Sequence, residues 1–281
     1  MTWAPQLEAV GRIASSEERI AQYTRLLEHA LHDTPSTSLP SLVRTYVDGA
    51  VLDPVNTTGA GLLVGRHMLA HLATQLAAAH IPANILCTIV SDTLATCEAS
   101  SIMGDDELGP WRVLLAEQYA SLSRWRDAAQ ALQSITPHAA RRIPQLSFAQ
   151  LCVRVVELWL HDLPSHVAEA EQAIKRANSA ILDERDNKAL VHELWSYHAR
   201  VLAMQHRFME AAARYMDLPH ADMYAAVYAI ISPPSAQRTS MLTRLAQRAS
   251  AWPFAQTLHH AAEGRFLRPA DLEALAPFLG G

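Results

Sequence analysis

The stretch that decides the fold reads Trp125-Arg126-Asp127-Ala128-Ala129-Gln130-Ala131-Leu132. It returns as Val167-Ala168-Glu169-Ala170-Glu171-Gln172-Ala173-Ile174, and again as Phe208-Met209-Glu210-Ala211-Ala212-Ala213-Arg214-Tyr215. Each copy opens on a large apolar residue (Trp125, Val167, Phe208). An acid follows two positions later, then Ala128, Ala170 or Ala211, and four further on another apolar residue (Leu132, Ile174, Tyr215). Successive copies are 42 and 41 residues apart. Alanine lets one helix approach its neighbour closely, and the apolar residues on either side fill the groove between them. The helix before a copy carries its own apolar stripe, as in Leu115, Tyr119 and Leu122, or Leu194, His198, Val201 and Leu202. Helix pairs recurring at this interval are the mark of a solenoid related to tetratricopeptide repeats. The expected fold is therefore all-α, a right-handed superhelical solenoid of antiparallel helix pairs. No copy can be placed upstream of residue 105, although the rhythm of helix pairs continues there.

Composition agrees with that reading. Of 281 residues, 50% are apolar, 18% are charged and only 10 are Gly, which supplies a core and excludes disorder as the main state. Runs of alternating β-branched and aromatic residues, which a sheet would need, are missing. Residues 1–140 hold 8 basic and 14 acidic side chains, and residues 141–281 hold 15 and 14. Neither half has the dominant basic field of a nucleic-acid binder. Cys87, Cys97 and Cys152 are too few and scattered for a disulfide framework. Cys152 shares an apolar helix face with Phe148, Leu151, Val155 and Trp159, where a buried thiol fits. The N-terminus lacks a secretory pattern, and no run approaches the ~20 apolar residues of a membrane span. A soluble intracellular protein is expected.

Prolines punctuate the chain. Between them the pattern predicts helices near 16–32, 39–52, 59–79, 83–99, 108–122, 125–135, 145–161, 165–180, 187–205, 207–217, 221–231, 235–249, 254–263 and 270–279. Pro110 is expected in a first turn. Ser15 and Glu18 fit a capping box, and Asp105-Asp106-Glu107 place negative charge at the positive end of the next helix.

Catalytic signatures are scarce. Gly59-Ala60-Gly61-Leu62-Leu63-Val64-Gly65 glances at a dinucleotide fingerprint, but no strand precedes it and a helical stripe runs through it. Close helix packing is the better reason for its glycines. His67 and His71 lie four apart on a helix without a third metal ligand, and His192-Glu193-Leu194-Trp195-Ser196 lacks the second His of a zinc protease. No GxSxG, P-loop or Cys-x-x-Cys pair is present. No catalytic residue, metal or cofactor is expected. Arg141-Arg142, with Arg124 and Arg126 one helix earlier, are candidates for binding an acidic partner.

The repeat region resembles a known family. Tyr197-His198-Ala199-Arg200-Val201-Leu202, followed by the segment from Arg207 to Leu218, is similar to the subunit-4 family of the COP9 signalosome. Gly61-Leu62-Leu63-Val64-Gly65-Arg66-His67-Met68-Leu69, Trp125 to Leu132, Gln237-Arg238-Thr239-Ser240-Met241-Leu242 and Gly264-Arg265-Phe266-Leu267-Arg268 agree with it in the same order. The resemblance implies a non-catalytic scaffold, with residues 1–220 as a helical-repeat arm and 221–281 as the helical start of a PCI domain, or one continuous solenoid. It also implies a cytoplasmic and nuclear complex that removes Nedd8 from cullin–RING ligases at a zinc site housed in another subunit. Other signalosome subunits, PCI-class and metalloprotease-fold, and the cullin–RING substrate are the implied partners, with neither nucleic acid nor membrane. The family's chain runs on into a winged helix, and this sequence stops ahead of it at Leu279-Gly280-Gly281. Proteasome-lid subunits of the same class would match many of these positions. A generic repeat adaptor and an unrecognised helical metal-dependent hydrolase are the remaining alternatives.

Overall fold

A computed structural model describes residues 3–143, 146–181 and 187–278. Every regular element among them is helical. The chain divides into two compact units, Met1–Leu151 and Cys152–Gly281.

The first unit contains α1 (Ala4–Gly11), α2 (Ser16–Asp33), α3 (Leu39–Tyr46) and a π turn (Val47–Val51). It continues through α4 (Pro54–Thr57), α5 (Leu62–Ala78), α6 (Ala83–Ser100), α7 (Asp105–Ser121), α8 (Trp125–Gln133) and α9 (Pro137–Ala140). The division between the units falls within α10 (Phe148–Leu160). The helix expected over 39–52 is thus an α-helix that widens into a π turn. Gly49 lies in that turn, where an added Cβ would stand 3.2 Å from the Leu7 side chain, so α1 rests directly on it. Tyr23, Leu27, Met68, Leu69, Leu72 and Leu76 are completely buried and form the centre of this unit. A polar chain crosses it. Arg19 Nη1 donates to Asn56 Oδ1 at 2.9 Å, and Asn56 Nδ2 donates to the Ala50 carbonyl at 3.0 Å and to Tyr23 Oη at 3.3 Å. The Tyr23 hydroxyl in turn donates to the Gly49 carbonyl at 3.3 Å. These bonds pin α2 to the π turn and α4, because a buried polar group left unpaired would cost free energy.

Helix starts follow local chemistry. Ser15 Oγ accepts from the Glu18 N–H at 3.4 Å, and Thr136 and Ser235 cap α9 and α15 in the same manner. Pro5, Pro40, Pro54, Pro137 and Pro269 stand in first turns. Pro110 does not. Helix α7 begins at Asp105 rather than near 108, which places Pro110 in its interior. The three acids of the first turn and the bond from the Gly104 N–H to Glu107 Oε2 (3.0 Å) start the helix early enough to override the proline's breaking tendency.

The second unit holds α11 (Val167–Ala180), α12 (Lys188–Met204), α13 (Phe208–Met216), α14 (Asp222–Ile231), α15 (Ala236–Ala246), α16 (Ala255–Ala262) and α17 (Pro269–Glu273). From α11 to α12, and from α12 through α16, each helix packs on the next in sequence, as a helical solenoid requires. Beyond its first turn helix α14 is apolar, and Ala225 through Ile230 are all buried, so it serves as the unit's central rod. One core runs from Ala199 to Leu275 on both sides of residue 220.

Candidate interaction surface

The three copies of the repeat occupy α8, α11 and α13, each beginning on its large apolar residue. Trp125, Val167 and Phe208 are half-buried; Ala128, Ala170 and Ala211 are fully buried; Leu132, Ile174 and Tyr215 are buried. The acid of each copy pairs backwards with a basic residue directly ahead of the helix. Arg124 meets Asp127 at 2.7 Å, Arg207 meets Glu210 at 2.5 Å, and His166 Nδ1 lies 3.5 Å from Glu169. The Arg207 guanidinium holds the Glu210 carboxyl below the usual carboxylate range. This basic residue at the N-cap is a further element of the repeat, and the sequence shows it once the three copies are aligned one position earlier.

The turn into α8 is repeated in the turn into α13. Ser123 adopts φ 57° and His206 φ 59°, both left-handed. The Ser123 N–H donates to the Ala120 carbonyl and the Arg124 N–H to the Tyr119 carbonyl; His206 and Arg207 donate likewise to Ala203 and Leu202. Each is a Schellman closure, which satisfies the last carbonyls of the preceding helix. Beyond it, α13 grips α14 through an aromatic stack. Phe208 lies over Tyr228 (6.3 Å between centroids), and Tyr215 stacks between Tyr228 and Tyr224 at 5.5 Å from each.

Four arginines are candidates for meeting a partner. Arg124 is engaged by Asp127 and lies over the Tyr119 ring, 4.4 Å from its centroid. Arg142 reaches back to the start of α7, where Glu107 is 3.2 Å and Asp106 3.6 Å away. Arg66 of α5 also contacts Glu107 at 3.1 Å, and His138 contacts Asp106 at 2.6 Å. The carboxylates facing Arg142 thus belong to its own chain. Arg126 and Arg141 are exposed. His67 and His71 share α5, where burial, followed by the neighbouring His67, lowers the pKa of His71. Among the described residues, no three His, Cys, Asp or Glu side chains are grouped as a metal ion would need.

Three curated proteins, each named COP9 signalosome subunit 4, are similar to this chain over most of its length. The Caenorhabditis elegans protein is 28% identical over 260 residues, 83% of this chain and 63% of its own length. The Arabidopsis thaliana protein is 27% identical over 204 residues (72% and 48%), and that of Drosophila melanogaster 25% over 210 residues (73% and 48%). The chain is a relative of COP9 signalosome subunit 4. It spans 48% to 63% of the length of these relatives. No protein-family profile matches it.

Two of the strings that resemble the subunit-4 family lie where helices touch. In the string from Gly61 to Leu69, a Cβ at Gly61 would stand 1.9 Å from the Val55 carbonyl oxygen, and one at Gly65 would stand 2.7 Å from that of Val51. Glycine is needed there so that α5 can approach the backbone of α4 and the π turn. In the string from Gln237 to Leu242, Arg238 turns back to the end of α14, donating to the Ala229 and Ile230 carbonyls at 3.0 and 3.1 Å. These residues hold the array of helices together. The described helices include none long and apolar enough to cross a membrane.

Proposed function

We propose that this chain is a non-catalytic scaffold of the COP9 signalosome, in the position of subunit 4. The observation that carries the reading is the similarity to subunit-4 proteins from worm, plant and fly over 72–83% of the chain. The repeated helix pairs fit it, since successive repeats present extended surfaces to other proteins. In this reading residues 1–220 are the arm and 221–281 the helical start of a PCI domain, or the two are one continuous solenoid, which the core shared across residue 220 favours. Other signalosome subunits and the cullin–RING ligase are the partners, and Nedd8 is removed in another subunit, in cytoplasm and nucleus. Arg126 and Arg141 are the side chains proposed to meet an acidic partner, because Arg124 and Arg142 already face carboxylates of this chain.

Affinity capture of the tagged chain from its own cells, followed by mass spectrometry, is the test. Signalosome subunits should be recovered together; a set of proteasome-lid subunits in their place would overturn the assignment. The purified chain should leave Nedd8-conjugated cullin uncleaved. Cleavage that disappears in His67→Ala or His71→Ala would replace the scaffold by a hydrolase. Exposed ion pairs are worth about 0–1 kcal/mol each, so Arg126→Glu with Arg141→Glu should weaken partner association several-fold. The loss should shrink as salt rises.

A further inference from the structure

We infer that the turn Arg265-Phe266-Leu267-Arg268, between α16 and α17, is a docking element for an acidic protein segment. Phe266 is 100% exposed, which sets it apart from every other large apolar side chain among the described residues. Its exposure is imposed by an ordered backbone. Gly264 adopts φ 72°, and the Gly264 and Arg265 N–H groups close α16 onto the Ala261 and His260 carbonyls at 3.2 and 2.9 Å. On the far side the Arg268 N–H donates to Asp271 Oδ2 at 2.8 Å, and Leu267 packs against the core. The turn is held at both ends and from beneath, so the backbone that presents the ring has little conformational entropy left to lose on binding.

The flanking charges select the partner. Phe266 is bracketed by two exposed arginines, and residues 232–268 hold five arginines against the single acid Glu263. Glu263 pairs with Arg265 at 2.7 Å, but both side chains are more than half exposed, and such a pair exchanges readily for a better-placed carboxylate. Aromatic and arginine side chains together are the composition of interface centres. A second copy of this turn would bring arginine against arginine, which argues against self-pairing. The occupant is therefore an apolar residue flanked by Asp or Glu on another protein. In taking a protein as the occupant, the inference rests on the scaffold reading above.

The test uses the full chain against arrayed short peptides carrying one central Phe, Leu or Trp flanked by Asp/Glu, by Lys/Arg, or by Ser/Gly. The acid-flanked set should bind above the other two, and Phe266→Ser should reduce that binding about tenfold or more. Arg265→Glu with Arg268→Glu should transfer the preference to the Lys/Arg-flanked set, with circular dichroism unchanged. Equal binding to all three sets, or binding indifferent to Phe266→Ser, would overturn the inference. So would a Phe266-dependent dimer in sedimentation, or Phe266-dependent binding to single-stranded RNA or anionic vesicles in place of the peptides. A failure here leaves the subunit composition of the captured complex unaltered, which separates it from failure of the scaffold reading.

Discussion

At the scale of single residues, small side chains do most to specify this protein. Gly65 has no room for a Cβ, which would meet the carbonyl oxygens of Val51 and Asn56 at 2.7 and 2.8 Å. Gly65→Ala should therefore destabilise the chain by roughly 1–3 kcal/mol, read from the midpoint of urea unfolding. An unchanged midpoint would mean that α5 sits further from the π turn than described. Ala211 is fully buried while its neighbour Ala213 is partly open. Ala211→Leu should cost roughly 1–3 kcal/mol through overpacking and Ala213→Leu much less; equal costs would break the repeat assignment. These positions were legible in the sequence because a small residue recurring at a fixed place between large ones marks a close contact between helices. The bond from Arg19 to Asn56 was not legible, since it joins residues 37 apart that no periodicity links. The same holds for Arg142, whose nearest carboxylate lies 35 positions upstream.

At the scale of helices and turns, apolar periodicity located the long helices to within a few residues and overlooked three short ones. Helix α1 has 8 residues, and α4 and α9 have 4 each, too few to display a repeat in the pattern. Periodicity also says nothing about how consecutive helices are joined. Four joints place a non-glycine residue in the left-handed region (Ser101, Ser123, His206 and His220), and those at Ser123 and His206 close in the same form as the joint where Gly264 stands. An L-residue there carries a steric cost that glycine avoids. Ser123→Gly should thus raise stability by roughly 0.5–1 kcal/mol, once the greater freedom of glycine in the unfolded chain is subtracted. Thermal unfolding of the variant beside the parent checks this, and a lowered midpoint would show that the Ser123 side chain matters more than its backbone.

At the scale of the whole molecule, stability should have a plateau bounded by two sets of titrations. Burial raises the pKa of Tyr23 and Tyr46 in the first unit and of Tyr215 and Tyr228 in the second. Cys97, also buried, is pushed up to about 11. The unfolded chain releases these protons first, so the contribution is complete below about pH 9 for Cys97 and about pH 10 for the tyrosines, and is lost above those values. On the acid side, burial lowers the pKa of His71 and His198. The unfolded chain then takes up protons more readily, and stability falls as pH drops below about 6.5. Urea midpoints measured across pH test both edges, with tyrosinate absorbance reporting the upper one. Tyr46→Phe should flatten the alkaline decline, and a midpoint that stays level well above the tyrosine range would refute the account. The order of packing from α12 to α16 has a kinetic consequence as well. When each helix finds its partner next along the chain, little loop entropy is lost before the first contacts form. The second unit should therefore assemble quickly and by increments, its end helices exchanging amide hydrogens well before α14 does.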